Sequence, residues 1–378
     1  MRKNFANLAV NNFKMKIAEI IQTIEEFAPI SYQEVYDNAG LLVGDKMADC
    51  TGVLICLDAI EAVIDEAIAK KCNLVVAHHP IVFSGVKKIT GKNYIERVII
   101  KAIKNDIAIY ACHTNLDNVK LGVNNIIADK LGLQNRKILD PKSGILKKLY
   151  TYVPAVAKDA LLNALFAAGA GNIGNYSECS YSVDGVGTFK GNEHSNPVIG
   201  EKNKRSTEPE HKIELIFPDY KESKILQALK ASHPYEEVAY EVITLDNVYQ
   251  DIGSGMIGEL ENPVSETDFL ASLKVKMNTA CIRHTALLNK KIQKVALCGG
   301  SGSFLLPKAI SQQADIFISG DFKYHQFFDA DNQIIIADIG HYESEQFTAQ
   351  LFNKIISEKF PTFAVQISTI NTNPINYK

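Results

Sequence analysis

The sequence predicts an α/β protein with two related α/β lobes at the two ends of the chain and an α+β module inserted between them. Three observations carry this reading. Short apolar runs alternate with amphipathic helical stretches at both ends, the rhythm of parallel βαβ units. The spacing of those runs recurs: His78 follows Cys56 by 22 positions, and Gly320 follows Cys298 by the same 22. Between the lobes the pattern changes to alternating strands and polar loops.

In chain order, residues 15–28 carry apolar residues at helical spacing until Pro29 ends the run. Residues 52–57 and 73–77 read as buried strands, with a helix over 60–70 between them. A helix over 94–105 and a strand over 107–112 follow. Near residue 146 the pattern changes: an alternating strand (149–154), a helix (158–168), a polar loop or hairpin tip (192–212), a strand (212–217), a helix (221–231) and a strand (238–245). That order suggests a ferredoxin-like unit. The α/β rhythm resumes near 253. The expected division is therefore lobe 1 over 15–145, the insert over 146–250 and lobe 2 over 251–378, with 1–14 as an N-terminal extension.

The chain has 378 residues, 46% hydrophobic and 22% charged, with a net charge of −3. This balance excludes a disordered or coiled-coil chain and gives no global drive toward nucleic acid or anionic membrane. No apolar run reaches the roughly 18 residues of a spanning helix. Seven cysteines, without a Cys-x-x-Cys pair, point to free thiols in a reducing compartment, and the N-terminus lacks the apolar core of a signal peptide. A cytoplasmic protein is expected.

The chemistry-bearing residues gather at strand ends, where open parallel sheets bind ligands. His78 and His79 leave the strand over 73–77, and His113 and Asp117 follow the strand over 107–112. His341 and Glu345 follow Ile334–Ile339 and lie one helical turn apart on one face. Alone, His78-His79 also reads as a polar doublet in a solvated loop, and the other two clusters as turn chemistry and a helix start, because Asn, Asp and Glu favour those places. Together His78, His79, Asp117, His341 and Glu345 offer three imidazoles and two carboxylates. Two divalent ions would carry a charge of +4 against the −2 of the carboxylates, a surplus suited to water, hydroxide or a phosphate oxygen, with Glu345 between the ions. Histidine-rich ligation favours Zn, Fe, Mn, Co or Ni over Mg or Ca. His113 either binds metal or orients a ligand.

Two further turns are candidates for substrate contacts. Gly299, Gly300, Ser301 and Gly302 lie between a strand and a helix, where backbone N–H groups suit an anion; the alternative is a tight βα turn. His325 is a candidate acid/base and Asp321 its orienter; the alternative is a capped helix start. His233, beside Pro234, reads as structural. Nothing supports serine or thiol hydrolysis.

These motifs, with Asn38–Gly44, resemble the Nif-three-like family, whose members are also carried as GTP cyclohydrolase 1 type 2 homologues or dinuclear-metal-centre hexameric proteins. The resemblance runs from about Met15 to the end of the chain. It implies a two-lobe core with a di-metal site in the cleft, ligated by His78, His79, Asp117, His341 and Glu345, with His113 nearby. It also implies a toroidal homohexamer, and the stretch from about 146 to 250 resembles the CutA-like insert of the longer members. The function expected from residues and resemblance is a metal-dependent hydrolase of a nucleotide-like, phosphate-bearing small molecule. For a cyclohydrolase reaction His325 would donate a proton. The alternative is a non-catalytic metal-handling or ligand-sensing scaffold. Membrane and nucleic-acid partners are not expected.

Overall fold

The isoleucines at positions 17, 20, 21 and 24 share one face, and that face is buried in α1 (Ile17–Phe27). Each such side chain removed from water stabilises the fold by roughly 1.5–3 kcal/mol. The computed structural model describes residues 15–378, so the N-terminal extension expected over 1–14 lies outside the described residues.

After α1 come β1 (Gly40–Val43), β2 (Val53–Asp58), α2 (Glu61–Ala69), β3 (Leu74–His79), α3 (Tyr94–Lys104), β4 (Ala108–Ala111), α4 (Thr114–Asn118), α5 (Val123–Leu131) and β5 (Gln134–Lys142). The start of α3 has a local cause: the Asn93 side chain accepts the Glu96 N–H.

The chain then forms a compact unit over Pro141–Gln250. It contains β6 (Leu146–Pro154), α6 (Lys158–Ala167), β7 (Tyr181–Lys190), β8 (Arg205–Pro218), α7 (Glu222–Ser232) and β9 (Tyr240–Thr244). The four strands form an antiparallel sheet in the order β7-β8-β6-β9. Alternation decides its inner face. Leu149 and Val153 of β6 and Ile213, Leu215 and Phe217 of β8 bury with Leu161, Leu165, Ile225 and Leu229 of the helices. His233 is buried, with Nε2 at 2.9 Å from the Tyr152 carbonyl. The polar stretch from 192 is a loop only as far as Lys204; from Arg205 it pairs with β7.

The remainder comprises β10 (Tyr249–Ser265), α8 (Glu266–Lys276), β11 (Arg283–His284), β12 (Lys291–Leu297), α9 (Leu306–Ser311), β13 (Ile316–Ser319), β14 (Ile335–Asp338), α10 (His341–Glu345), α11 (Thr348–Lys359) and β15 (Val365–Ile367). With the residues up to Asp140 it forms the other compact unit. Two sheets run through that unit. The first has the order β1-β4-β3-β2-β15, with β15, β2, β3 and β4 parallel and β1 antiparallel at the edge. The second has the order β11-β14-β13-β12-β10-β5, with β12, β13 and β14 parallel, β11 antiparallel to β14 and β10 antiparallel to β12. The parallel strands β2, β3, β4, β13 and β14 are buried along almost their whole length, which explains their largely apolar sequences. The chain leaves this unit along β5 and returns along β10, and these two strands are neighbours in the second sheet.

All seven cysteines are free. Among the described residues no helix is long and apolar enough to cross a membrane.

Candidate metal centre

The carboxyl end of β3 sets the first two donors. His78 is fully buried, and its Nδ1 lies 3.0 Å from the Cys112 carbonyl. A carbonyl can only accept, so Nδ1 carries the hydrogen and Nε2 presents its lone pair. His79 stands opposite Asp58 in the parallel register of β2 and β3, and its Nδ1 lies 2.7 Å from Asp58 Oδ1.

The same device recurs at the other two histidines. His113 Nδ1 lies 2.7 Å from Asp37 Oδ1, and His341 Nδ1 lies 2.7 Å from Asp321 Oδ2. Each of the four imidazoles thus has its Nδ1 engaged, the arrangement by which proteins orient metal-binding histidines.

Glu345 joins two groups of donors. Its Oε1 lies 3.7 Å from His78 Nε2, which is itself 3.5 Å from Asp117 Oδ1. Its Oε2 lies 2.9 Å from His79 Nε2 and 3.1 Å from His341 Nε2, and those two nitrogens are 3.2 Å apart. Ligand atoms of His78, Asp117 and Glu345 lie within 4.8 Å of one another, as do those of His79, His341 and Glu345. His78, His79 and His113 form a third such group.

Two atoms test whether this donor set fits a cation. His78 Nε2 and Asp117 Oδ1 are buried and have no hydrogen-bond partner. A buried polar atom without a partner costs roughly 1–3 kcal/mol. A lone pair and a carboxylate oxygen that face each other at this distance suit a shared cation.

The electrostatics agree. Burial favours neutral histidines, yet the carboxylates outweigh it: Asp58 and Glu345 hold His79 up at about 10, and Glu345 and Asp321 hold His341 up at about 11. Protons supply the positive charge where no cation is bound. Burial and the Glu345 charge raise Asp117, whereas His341 keeps Glu345 ionised against its burial.

The outer aspartates change the charge arithmetic. Asp37, Asp58 and Asp321 are all held below the ordinary carboxylate range, because their bonds to the histidines and neighbouring groups outweigh burial. Three more negative charges therefore surround the centre. The expected surplus of positive charge with two divalent ions is offset by these groups, which also make the imidazoles stronger donors.

The glycine turn has a different role from the one expected. Gly299 N–H donates to Asn124 Oδ1, Gly300 N–H to Ser344 Oγ and Gly302 N–H to Ser319 Oγ, each at 2.9 Å. Three of the four amides proposed for an anion are thus occupied. What the turn provides is clearance: Gly300 has φ +61, and a Cβ there would come within 2.4 Å of Glu345 Oε1. Asp321 is bonded to His341 and to Ser301 Oγ, so it orients His341 rather than His325. His325 is exposed among the rings of Tyr324 and Phe328.

Comparison with known proteins identifies the family. The profile of the Duf34/NIF3 (NGG1p interacting factor 3) family matches residues 15–374. The chain belongs to the Duf34/NIF3 family. A Duf34/NIF3-type relative from Staphylococcus aureus (strain MSSA476), named GTP cyclohydrolase 1 type 2 homolog, is 36% identical over 96% of this chain and 100% of its own length. One of the same name from Bacillus subtilis (strain 168) is 36% identical over 95% and 98%. The crystal structure of a Bacillus cereus protein related to NIF3 is 35% identical, with a TM-score of 0.85 over 96% of this chain and 99% of that one. The mixed α/β fold with several sheets is that of the Duf34/NIF3-related structure.

Asp37 and Asp58 escape motif reading, although both stand where an acid can be noticed: Asp58 closes an apolar strand, and Asp37 immediately precedes the Asn38–Gly44 motif.

Proposed function

We propose that the chain is a dinuclear-metal hydrolase acting on a nucleotide-like small molecule. The observation that carries this reading is Glu345, whose two carboxylate oxygens each face a different donor group. His78, Asp117 and Glu345 would hold one ion, and His79, His341 and Glu345 the other. Two transition-metal ions (Zn, Fe, Mn, Co or Ni) would supply Lewis-acid polarisation and an activated water for hydrolysis. The chain's own residues do the rest. Asp58, Asp321 and the Cys112 carbonyl fix the three ligating imidazoles with Nε2 inward, and Asp37 fixes His113 at the edge of the same cluster. The glycine turn leaves room for the shared carboxylate. His325, exposed on the segment that follows β13, would be the candidate proton donor.

The test is metal content and turnover of GTP and a phosphoester panel, for wild-type and Glu345→Ala protein. Two metal equivalents with turnover in the wild type, both lost in the variant, support the reading. Unchanged metal content and turnover in the variant refute it. The same reading carries a cytoplasmic homohexamer with a CutA-like insert; light scattering on the wild type and on a chain lacking 146–250 tests the assembly.

A second reading, a ligand-sensing scaffold, has one observation in its favour. The unit over Pro141–Gln250 holds a cavity of about 880 Å3 lined by Tyr152, Val186, Phe189, Glu210, Lys212 and Tyr235, among others. That volume suits a drug-sized molecule with an apolar body. Calorimetric binding of a nucleotide that Phe189→Ala abolishes, with no turnover by metal-loaded protein, would favour it.

A further inference from the structure

Past β15 the chain stays pinned to the first sheet. Ser368 N–H donates to the Ile55 carbonyl at 2.7 Å, extending the ladder to β2. The Glu66 carboxylate, on α2, accepts the Ser368 hydroxyl, the Thr369 N–H at 3.0 Å and the Thr369 hydroxyl at 2.8 Å. Ile370 packs against the core of that sheet. The segment then meets carboxylates from both halves with two consecutive residues. Thr372 Oγ1 donates to Asp58 Oδ2 at 2.6 Å, and Asn373 Nδ2 donates to Glu343 Oε1 at 3.0 Å. Both residues are half-buried, whereas Asn371 and Pro374 beside them are exposed.

The first contact is one hydrogen bond away from the candidate metal centre, and the second falls on the short helix that carries two of its donors. Asp58 uses its other oxygen to hold His79 Nδ1. Glu343 is buried on α10, between His341 and Glu345 in the sequence, and stands close over Gly340, where a Cβ would come within 2.2 Å of its Oε2. His78, by contrast, is held by the Cys112 backbone carbonyl, independently of this segment.

We infer that Ser368–Asn373 is a strap that positions one half of the metal centre: Thr372 sets His79 through Asp58, and Asn373 sets α10 through Glu343. The inference rests on the dinuclear reading above and deepens it. The two ion positions differ in what holds them. The His79–His341–Glu345 position meets the strap through both of its residues, whereas the His78–Asp117–Glu345 position meets it only through the shared Glu345 of α10. Thr372 and Asn373 are positioning residues; neither is a ligand.

The test uses the full chain loaded with Co(II), comparing wild type with Thr372→Val, Thr372→Ser and Asn373→Ala. The readouts are the visible ligand-field spectrum and the rate of Co(II) loss to a chelator, with circular dichroism to monitor the fold. Thr372→Val keeps the side-chain shape and removes only the hydroxyl. It is expected to release one of two equivalents roughly 10-fold faster, the lower end of what loss of an outer-shell partner costs. The other equivalent keeps its rate, and Thr372→Ser restores the wild-type spectrum. Asn373→Ala, which loosens the helix that carries His341 and the shared Glu345, is expected to change the spectrum. Wild-type release and spectrum in both Thr372→Val and Asn373→Ala, or equal acceleration of both equivalents in Thr372→Val, would overturn the strap. A wild type that takes up no second equivalent would overturn the dinuclear reading itself, a distinguishable result.

Discussion

The two halves of the core use one plan to different ends. In each, three parallel strands run first-second-third, and a short antiparallel strand closes the edge beyond the third: β2, β3, β4 and β1 in the first half, β12, β13, β14 and β11 in the second. In each, the third strand leads to a one-turn helix with a histidine at its start and, four residues on, an acid: His113 with Asp117, and His341 with Glu345. In each, that histidine's Nδ1 rests on an aspartate. The halves part at the second strand. β3 ends in His78 and His79, whereas β13 ends at Ser319 and is followed by Gly320, where a Cβ would sit 2.8 Å from His341 N. One half supplies most of the donors; the other supplies the shared carboxylate and the clearance for it. The acids differ accordingly, since the glutamate has the extra methylene needed to present one oxygen to each donor group.

The largest expected effect comes from breaking the shared element. Glu345→Ala should take metal content from about two ions per chain to below one, by elemental analysis. Glu345→Asp keeps the charge but loses reach, and should retain no more than one ion. If the aspartate variant holds two as firmly as the wild type, the glutamate is not the bridge.

Next comes the asymmetry of the second strands. His78→Ala and His79→Ala should each lose one ion while the other stays, and the Co(II) spectra of the two should differ. Identical spectra would mean that the donors do not divide into two positions.

Gly300→Ala tests the clearance. Its positive φ costs a non-glycine residue of order 1–3 kcal/mol, and its Cβ would displace Glu345 Oε1. Thermal unfolding should fall by that order even without metal, and metal affinity should fall further. A stable variant with unchanged affinity would contradict the packing described here.

The paired aspartates compare the halves directly. Asp321→Asn should weaken metal binding by roughly 10–100-fold, read by chelator competition. Asp37→Asn acts through His113, outside the two groups that share Glu345, and should do less. An equal loss would raise His113 to the standing of its counterpart His341.

The smallest effect concerns β15, the parallel strand that only the first half adds. Burial alone would raise Glu66, but Lys70, Ser368 and Thr369 bring it down to about 2. A depressed carboxylate stabilises the fold above its ordinary value of 4.5, and that contribution disappears as the pH falls toward 2. Metal-free Glu66→Gln should therefore unfold at a slightly lower temperature than wild type at neutral pH, with the gap closing in acid. A gap that persists unchanged at pH 2 would mean that Glu66 acts by packing alone.

The sequence by itself determined the donor types and their stations. Unbroken apolar runs identify buried parallel strands, and the histidines and acids stand just past their ends, so the β3, β4 and β14 termini were legible as a site. The i, i+4 spacing of His341 and Glu345 is likewise local geometry. The tertiary structure alone decided the partners. Asp58 meets His79 through the register of β2 and β3, Asp37 meets His113 across 76 positions, and Thr372 meets Asp58 across 314. No local periodicity encodes such pairings. The glycine turn illustrates the limit from the other side. Its sequence advertises free amides, but Asn124, Ser319 and Ser344 take three of them, because a buried N–H finds a partner wherever packing brings one within reach.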